Sequence, residues 1–370
     1  MTKSPLPPQS HTTVLHPPAS PSHTRTTKPR IKLMIVDDSR VARSFLRKCI
    51  LQQNDIELVA IASNGQSALD ALEAHKPEII LLDVEMPVMD GLSAIPLIFE
   101  KCPETRIIMV STKVGTGKQH TLQALRLGAH EVVLKPSSFT SEPERMVEEL
   151  LHKIRTLASA PLPTPSLPQR PPPKHTTNIQ VLAIGTSTGG PQALEEFFKV
   201  LPSPILIPIL VVQHMPTLFL SMLASRLTKE TGWKCRLASD GEQLSPNTVY
   251  IAPGDHHLQV SRKTGRPCVQ LQDTPPEHFC RPAVDPLFRS VAQVYGTSVL
   301  GVVLTGMGED GAAGAREIAK SGGRVIAQDE ATSVIWGMPR AAVETGVVEA
   351  VLPLKRLAGY AGEICTAGLK

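Results

Sequence analysis

Short apolar runs recur along this chain, each ending in an acid, a glycine or a polar residue and each leading into another element. A run of five or six apolar residues without polar alternation reads as a strand buried on both faces. Such strands belong to a parallel sheet covered by helices. "IKLMIVDD", "IELVAIAS", "EIILLD", "RIIMVST" and "EVVLKP" are strands of this kind, with helical patterns at 39–50, 66–75, 118–127 and 142–157. Five βα repeats predict an open parallel sheet whose right-handed crossovers bring all strand C-termini to one edge. A second set follows at "IQVLAIG", "ILIPILVVQ", "TVYIAP", "SVLGVVLTG" and "GRVIAQ", with helices at 191–201, 218–228, 283–294 and 312–320. Between 235 and 271, Gly and Pro punctuate short strands, which predicts an antiparallel edge or hairpin.

Two segments interrupt the alternation. Residues 1–30 are rich in Pro, Thr, Ser and His and hold too few large apolar side chains to offset their ordering entropy, so they are expected to be disordered. Residues 158–177, "ASAPLPTPSLPQRPPPKHTT", favour extended polyproline II and read as a semi-rigid tether. Two α/β units remain, 31–157 and 178–370.

Composition narrows the function. Aromatic residues make up 4% of the chain, too few for a base-stacking surface. The net charge of +4 is mild, and part of it sits in the N-terminal tail, which reads as solvated and not as a nucleic-acid patch. The six cysteines contain no CxxC pair, which argues against a zinc cluster or a disulfide framework and fits a reducing compartment. No run is long enough to span a bilayer, and the N-terminus lacks the apolar core of a signal peptide. A cytoplasmic location, without membrane insertion, is therefore expected.

Asp37 and Asp38 end the first strand and Asp83 the third. In a doubly wound sheet those ends are neighbours at the switch point where ligands bind. Three converging carboxylates call for a cation, and a hard ion such as Mg2+ suits an all-oxygen site. Lys135 follows the fifth strand and Ser111 ends the fourth, so an ammonium and a hydroxyl join the same edge. Together they form a cradle for a phosphoryl group on an aspartate nucleophile.

In the second unit, Gly185-Thr186-Ser187-Thr188-Gly189 fits the G-x-S-x-G turn that exposes a serine between strand and helix. It lacks both the GKS/GKT ending of a P-loop and a GxGxxG spacing. Nearby amides, including those of the turn Gly306-Met307-Gly308, are candidate oxyanion donors. His214, at the end of the next strand, is the best-placed base, ahead of His256, His257 and His278. Asp310, in a glycine-rich turn past another strand end, is the candidate acid, with Asp255, Asp285 and Asp329 as competitors.

The motifs "VDDS", "LLDVEMPVMDG", "VST" and "LKP" resemble the response-regulator receiver domain. That implies a flavodoxin-like (βα)5 fold, with Asp83 as phosphoacceptor. Asp37, Asp38 and Asp83 would hold Mg2+ with the Glu85 carbonyl, while Ser111 and Lys135 would be the switch residues. "GTSTGGP", "VQHMP", "YIAPGDHHL", "FCRPAVDPLFRS" and "LTGMGEDGAAG" resemble the catalytic domain of the chemotaxis protein-glutamate methylesterases, a doubly wound, mostly parallel α/β hydrolase. The resemblance implies Ser187 as nucleophile, His214 as base and Asp310 as orienting acid, with no cofactor for the ester reaction. The implied partners are chemoreceptors, whose glutamate methyl esters and certain glutamines would be substrates, and a chemotaxis histidine kinase as phosphodonor. It also implies that the unphosphorylated receiver covers the serine site, and Arg281 is a candidate for docking the receptor helix. The family often has alanine at the position of Thr186, and usually starts close to the first strand. Two alternatives are a receiver-controlled DNA-binding module and a non-catalytic nucleotide-binding module.

Overall fold

A computed structural model describes residues 30–111, 117–135, 143–159 and 178–367. Residues 1–29 of the expected tail and 160–177 of the expected tether lie outside the described residues.

The first unit runs β1 (Ile31–Val36), α1 (Arg40–Leu51), β2 (Ile56–Ala62), α2 (Gly65–His75), β3 (Ile79–Leu82), α3 (Gly91–Lys101), β4 (Arg106–Ser111), α4 (Gly117–Arg126), β5 (Glu131–Leu134) and α5 (Pro143–Ser159). The sheet order is β2-β1-β3-β4-β5, every pair parallel. Helix starts are written locally. Ser39 accepts the Ala42 N–H at 3.3 Å, Asn64 and Ser67 form a reciprocal capping box on α2, and Asp90 accepts the Ser93 N–H at 2.7 Å. Helix α3 is not among the helices expected from sequence, and it carries Pro96 inside it. The apolar face of Ala94, Ile95 and Ile98 nevertheless secures it against the sheet.

The second unit runs β6 (Val181–Thr186), α6 (Gly190–Val200), β7 (Ile209–Gln213), α7 (Thr217–Thr231), β8 (Lys234–Leu237), β9 (Thr248–Ile251), β10 (His257–Lys263), β11 (Arg266–Gln272), α8 (Val284–Tyr295), β12 (Val299–Val303), α9 (Ala312–Lys320), β13 (Arg324–Gln328), α10 (Gly337–Glu344), β14 (Ala350–Leu352) and α11 (Leu354–Thr366). Its main sheet has the order β14-β13-β12-β6-β7-β9-β8, again parallel throughout. The 235–271 region divides. β10 and β11 form the expected antiparallel hairpin, whereas β8 joins the main sheet as a parallel edge strand. One apolar cluster fills each face of this sheet, around Phe197 and Phe198 on one side and Tyr250 and Phe288 on the other. Strand order reverses at β6, which has β7 on one side and β12 on the other. The crevice beyond the ends of those three strands is where an open α/β sheet places its site.

The units pack against each other through the α4, β5 and α5 side of the first. Phe219 of α7 is buried in the same cluster as Leu122 and Leu125 of α4. Ile335 is buried with Met146 and Leu150 of α5, and Met307 packs beside them. Arg226 donates to the Leu122 carbonyl at 3.4 Å, and Gln192 donates to that of Leu125. The Thr188 hydroxyl donates to the Glu131 carboxylate, which Lys153 of α5 pairs at 3.0 Å.

Candidate active site

Ser187 follows β6 directly. Its N–H donates to the Thr305 carbonyl at 3.0 Å, and its own carbonyl accepts the Gly190 N–H at 2.8 Å, which closes the turn. Gly189 has φ +75, and a Cβ there would come within 2.6 Å of the Val334 side chain, so the turn admits glycine alone. Thr186 is buried and donates to the Thr305 carbonyl at 2.9 Å, tying β6 to the loop after β12. Ser187 itself stays half-buried, and among the described residues its hydroxyl makes no hydrogen bond.

Gln213, the last residue of β7, was not singled out from sequence. Its Nε2 donates to the Ser187 carbonyl at 2.8 Å and the His214 carbonyl at 3.0 Å. It therefore pins the serine turn to the histidine segment. The signal for it lay in the same "VQHMP" motif, but a buried amide between strands has no pattern of its own.

His214 and Asp310 meet. His214 Nε2 lies 2.8 Å from Asp310 Oδ2, with the carboxylate 1% exposed. Asp310 accepts the N–H groups of Val284 at 2.6 Å and Asp285 at 2.9 Å. Burial disfavours ionised Asp310, but His214 and those two amides outweigh it and hold its pKa below the usual carboxylate range. Burial likewise opposes protonated His214. The Cys280 sulfur against its ring and the Asp310 carboxylate override that, and the pKa is raised to about 10.

The competitors are engaged elsewhere. Asp255 accepts from Thr217 at 2.9 Å, and Asp329 from Thr332 at 2.6 Å. His256 pairs with Asp273. His257 is buried, with Nδ1 accepting the Ala283 N–H at 3.1 Å. His278 Nε2 lies 2.9 Å from Asp285 Oδ2. Asp285 in turn accepts the N–H groups of Gly311 at 3.0 Å and Gly314 at 2.6 Å. The two acids thus brace each other: Asp310 holds the first amides of α8, and Asp285 holds those at the start of α9. His278, Asp285 and Asp310 are close enough to share an ion, but each carboxylate already has its hydrogen-bond donors.

One expectation changes. The N–H groups of Ser187 and Gly190 are taken by carbonyls, and so is that of Gly306, which donates to Ile335 at 2.9 Å. The oxyanion donors narrow to the remaining amides around Thr188 and Met307. Arg281 is also engaged locally: its guanidinium donates to the Asp273 and Thr274 carbonyls, both at 3.0 Å, and secures its own loop.

At the other sheet edge Lys135 Nζ bridges Asp37 and Asp83, 2.7 Å from each. Asp83 also accepts the Val84 N–H at 2.8 Å. Its pKa is pushed up to about 6, chiefly by burial, against the pull of Lys135 and with a push from Asp37. Lys135 is raised: its burial is outweighed by Asp83 and Asp37. The carboxylates of Asp37, Asp38 and Asp83 each offer an oxygen within 4.8 Å of the others, an all-oxygen donor set that fits a hard divalent ion. Ser111 is buried beneath this edge and accepts from Thr121 of α4 at 3.0 Å.

Comparison with known proteins agrees with both halves. A family model described as CheB methylesterase matches residues 182–360, and one described as response regulator receiver domain matches 33–148. The protein-glutamate methylesterase/protein-glutamine glutaminase of Maricaulis maris (strain MCS10) is 39% identical over 390 residues, covering 92% of this chain and 96% of that one. A relative with the same description from Azospirillum brasilense is 40% identical over 361 residues, covering 89% and 91%. The Thermotoga maritima CheB methylesterase catalytic domain, a crystal structure, is 39% identical and covers 51% of this chain and 100% of its own, with a TM-score of 0.49.

Proposed function

This chain belongs to the protein-glutamate methylesterase/protein-glutamine glutaminase family, and from that membership we propose that it hydrolyses glutamate methyl esters, and deamidates certain glutamines, on the cytoplasmic helices of chemoreceptors. It joins a response-regulator receiver domain to a CheB methylesterase domain. The observation that carries the reaction is the His214–Asp310 pair at 2.8 Å, in a segment that Gln213 ties to the half-buried serine turn.

Ser187 Oγ attacks the ester carbonyl and passes its proton to the ring nitrogen of His214 that does not face Asp310. Asp310 stabilises the imidazolium and keeps the ring oriented. The carbonyl oxygen becomes an oxyanion facing amides near Thr188 and Met307. As the tetrahedral species collapses, the methoxy oxygen takes the proton from His214 and leaves as methanol. Water, deprotonated by His214, then attacks the acyl carbonyl. Ser187 recovers its proton, and a free carboxylate is left. On glutamine the same steps release ammonia.

In the receiver, Asp83 accepts the phosphoryl group from a histidine kinase. Asp37, Asp38 and Asp83 would hold Mg2+, which neutralises charge during the transfer. Lys135 would exchange its carboxylate contact for a phosphoryl oxygen. The contacts of α4, β5 and α5 with α6, α7 and Met307 support the reading that the unphosphorylated receiver restrains the serine site. The experiment is methanol release from methylated receptor membranes. Ser187→Ala is expected to lower it by a factor on the order of 10⁶, and an unchanged rate would remove Ser187 from the mechanism.

A further inference from the structure

The loop before α8 carries a residue that neither the core nor the catalytic pair accounts for. Phe279 is 97% exposed, although an aromatic ring gains more than most side chains from burial. It sits at the tip of a tight turn closed by Glu277 and Cys280. Each donates its N–H to the other's carbonyl, at 3.1 and 2.8 Å respectively. His278 has φ +51 and Phe279 φ +62. Two consecutive left-handed residues make the turn geometry that ordinarily selects Asn-Gly, and a histidine followed by a phenylalanine is strained there.

The flanks hold that strain in place. His278 is tied to Asp285 at 2.9 Å, Glu277 is paired with Arg289, and Arg281 secures the loop's other end through two carbonyls. The turn also touches the site from both sides. Cys280 lies against the His214 ring, and His278 holds the acid whose own N–H binds Asp310. An aromatic side chain is thus presented to solvent, at a conformational cost, on a rigid turn beside the reacting groups. Among the described residues the receiver's contacts fall on Thr188, α6, α7, Met307 and Ile335, and Phe279 is 97% exposed.

We propose that Phe279 is a specificity-determining residue that packs against an apolar side chain of the substrate helix, about one turn from the reacting glutamate. This rests on the esterase reading above. A helix that lays a glutamyl ester over Ser187 carries its residues three and four positions away on the same face, within reach of a turn that borders His214. Because Phe279 is already exposed beside a docked receiver, it contributes to receptor affinity in the unphosphorylated and phosphorylated states alike.

The test is steady-state methanol release by the full chain with a phosphodonor, on methylated receptor membranes and on a small soluble glutamate γ-methyl ester. Phe279→Ala is expected to raise KM for receptor membranes about tenfold with kcat within about twofold, while Phe279→Leu stays within about threefold of wild type. Both variants should hydrolyse the small ester as wild type does. Equal receptor KM in wild type and Phe279→Ala would overturn the proposal. So would an equal loss on the small ester, which would make the turn a support for the triad. A wild-type dimer that becomes monomeric in Phe279→Ala, with KM unchanged, would assign the ring to self-association instead. Wild type inactive on both substrates would sink the esterase reading and this one with it.

Discussion

His214 is held in its protonated form by what surrounds it, and a general base must first be neutral. Cys280 and Asp310 raise its pKa to about 10 against the opposing effect of burial. Methanol release, corrected with a Ser187→Ala blank, should therefore climb with pH from neutrality toward about 10. Cys280→Ala should move that limb to lower pH, and a limb that stays in place would discharge Cys280 from the pair. The same shift bears on stability. A histidine whose folded value lies above its unfolded one stabilises fully below the unfolded value, about 6.5, and that contribution is lost as pH rises through about 10. Thermal melts of wild type and His214→Gln should accordingly converge as pH rises through this window. Asp285 poses a separate residue-level question. Asp285→Ala strips the buried N–H groups of Gly311 and Gly314 of their acceptor, at about 1–3 kcal/mol each, and should lower kcat about 10- to 100-fold. Asp285→Asn keeps an oxygen for both amides and should restore most of the rate. If both variants match wild type in kcat, the mutual brace of the two acids has no catalytic consequence.

At the scale of elements, the sequence was most readable where strands end. β1, β3, β4, β5, β6, β7 and β12 are largely buried runs; Lys135 meets Asp37 and Asp83 at one sheet edge, and His214 meets Asp310 at the other. What was hidden depended on long-range contact. Helix α3 survives Pro96 because its apolar face is buried. β8 becomes a parallel edge strand only by pairing with β9, and its "KCRL" carries no strong strand signal. Gln213 and the pairing of His278 with Asp285 arise from residues 26 and 7 positions apart, which no local pattern encodes. Helix α7 is likewise legible as a helix but not as an interface, since Phe219 is buried with α4 of the other unit. Phe219→Ala should weaken that docking and raise unphosphorylated methanol release several-fold, with faster hydrogen exchange in α4. Basal release and α4 protection identical to wild type would show that this contact does not restrain the enzyme.

For the whole molecule, restraint by the receiver implies two comparisons. A fragment spanning 178–370 should release methanol faster than the unphosphorylated full chain, and equal rates would defeat the restraint. A small-molecule phosphodonor with Mg2+ should activate wild type but leave Asp83→Asn at its basal rate, and activation of that variant would place the phosphoryl group elsewhere. Helix α4 stands between the two sites. Thr121 reaches Ser111 beneath the phosphorylation edge, while the carbonyls of Leu122 and Leu125 accept from Arg226 and Gln192. Those acceptors are main-chain atoms, present whatever side chains α4 carries. The polar part of the docking at α4 can therefore survive extensive drift in the receiver, whereas a change at Gln192 or Arg226 removes one of its two hydrogen bonds. Selectivity for one receiver over another must then be written in the side-chain contacts, Phe219 with Leu122 and Leu125 and Thr188 with Glu131, and receiver exchanges between relatives should be governed by what stands at those positions.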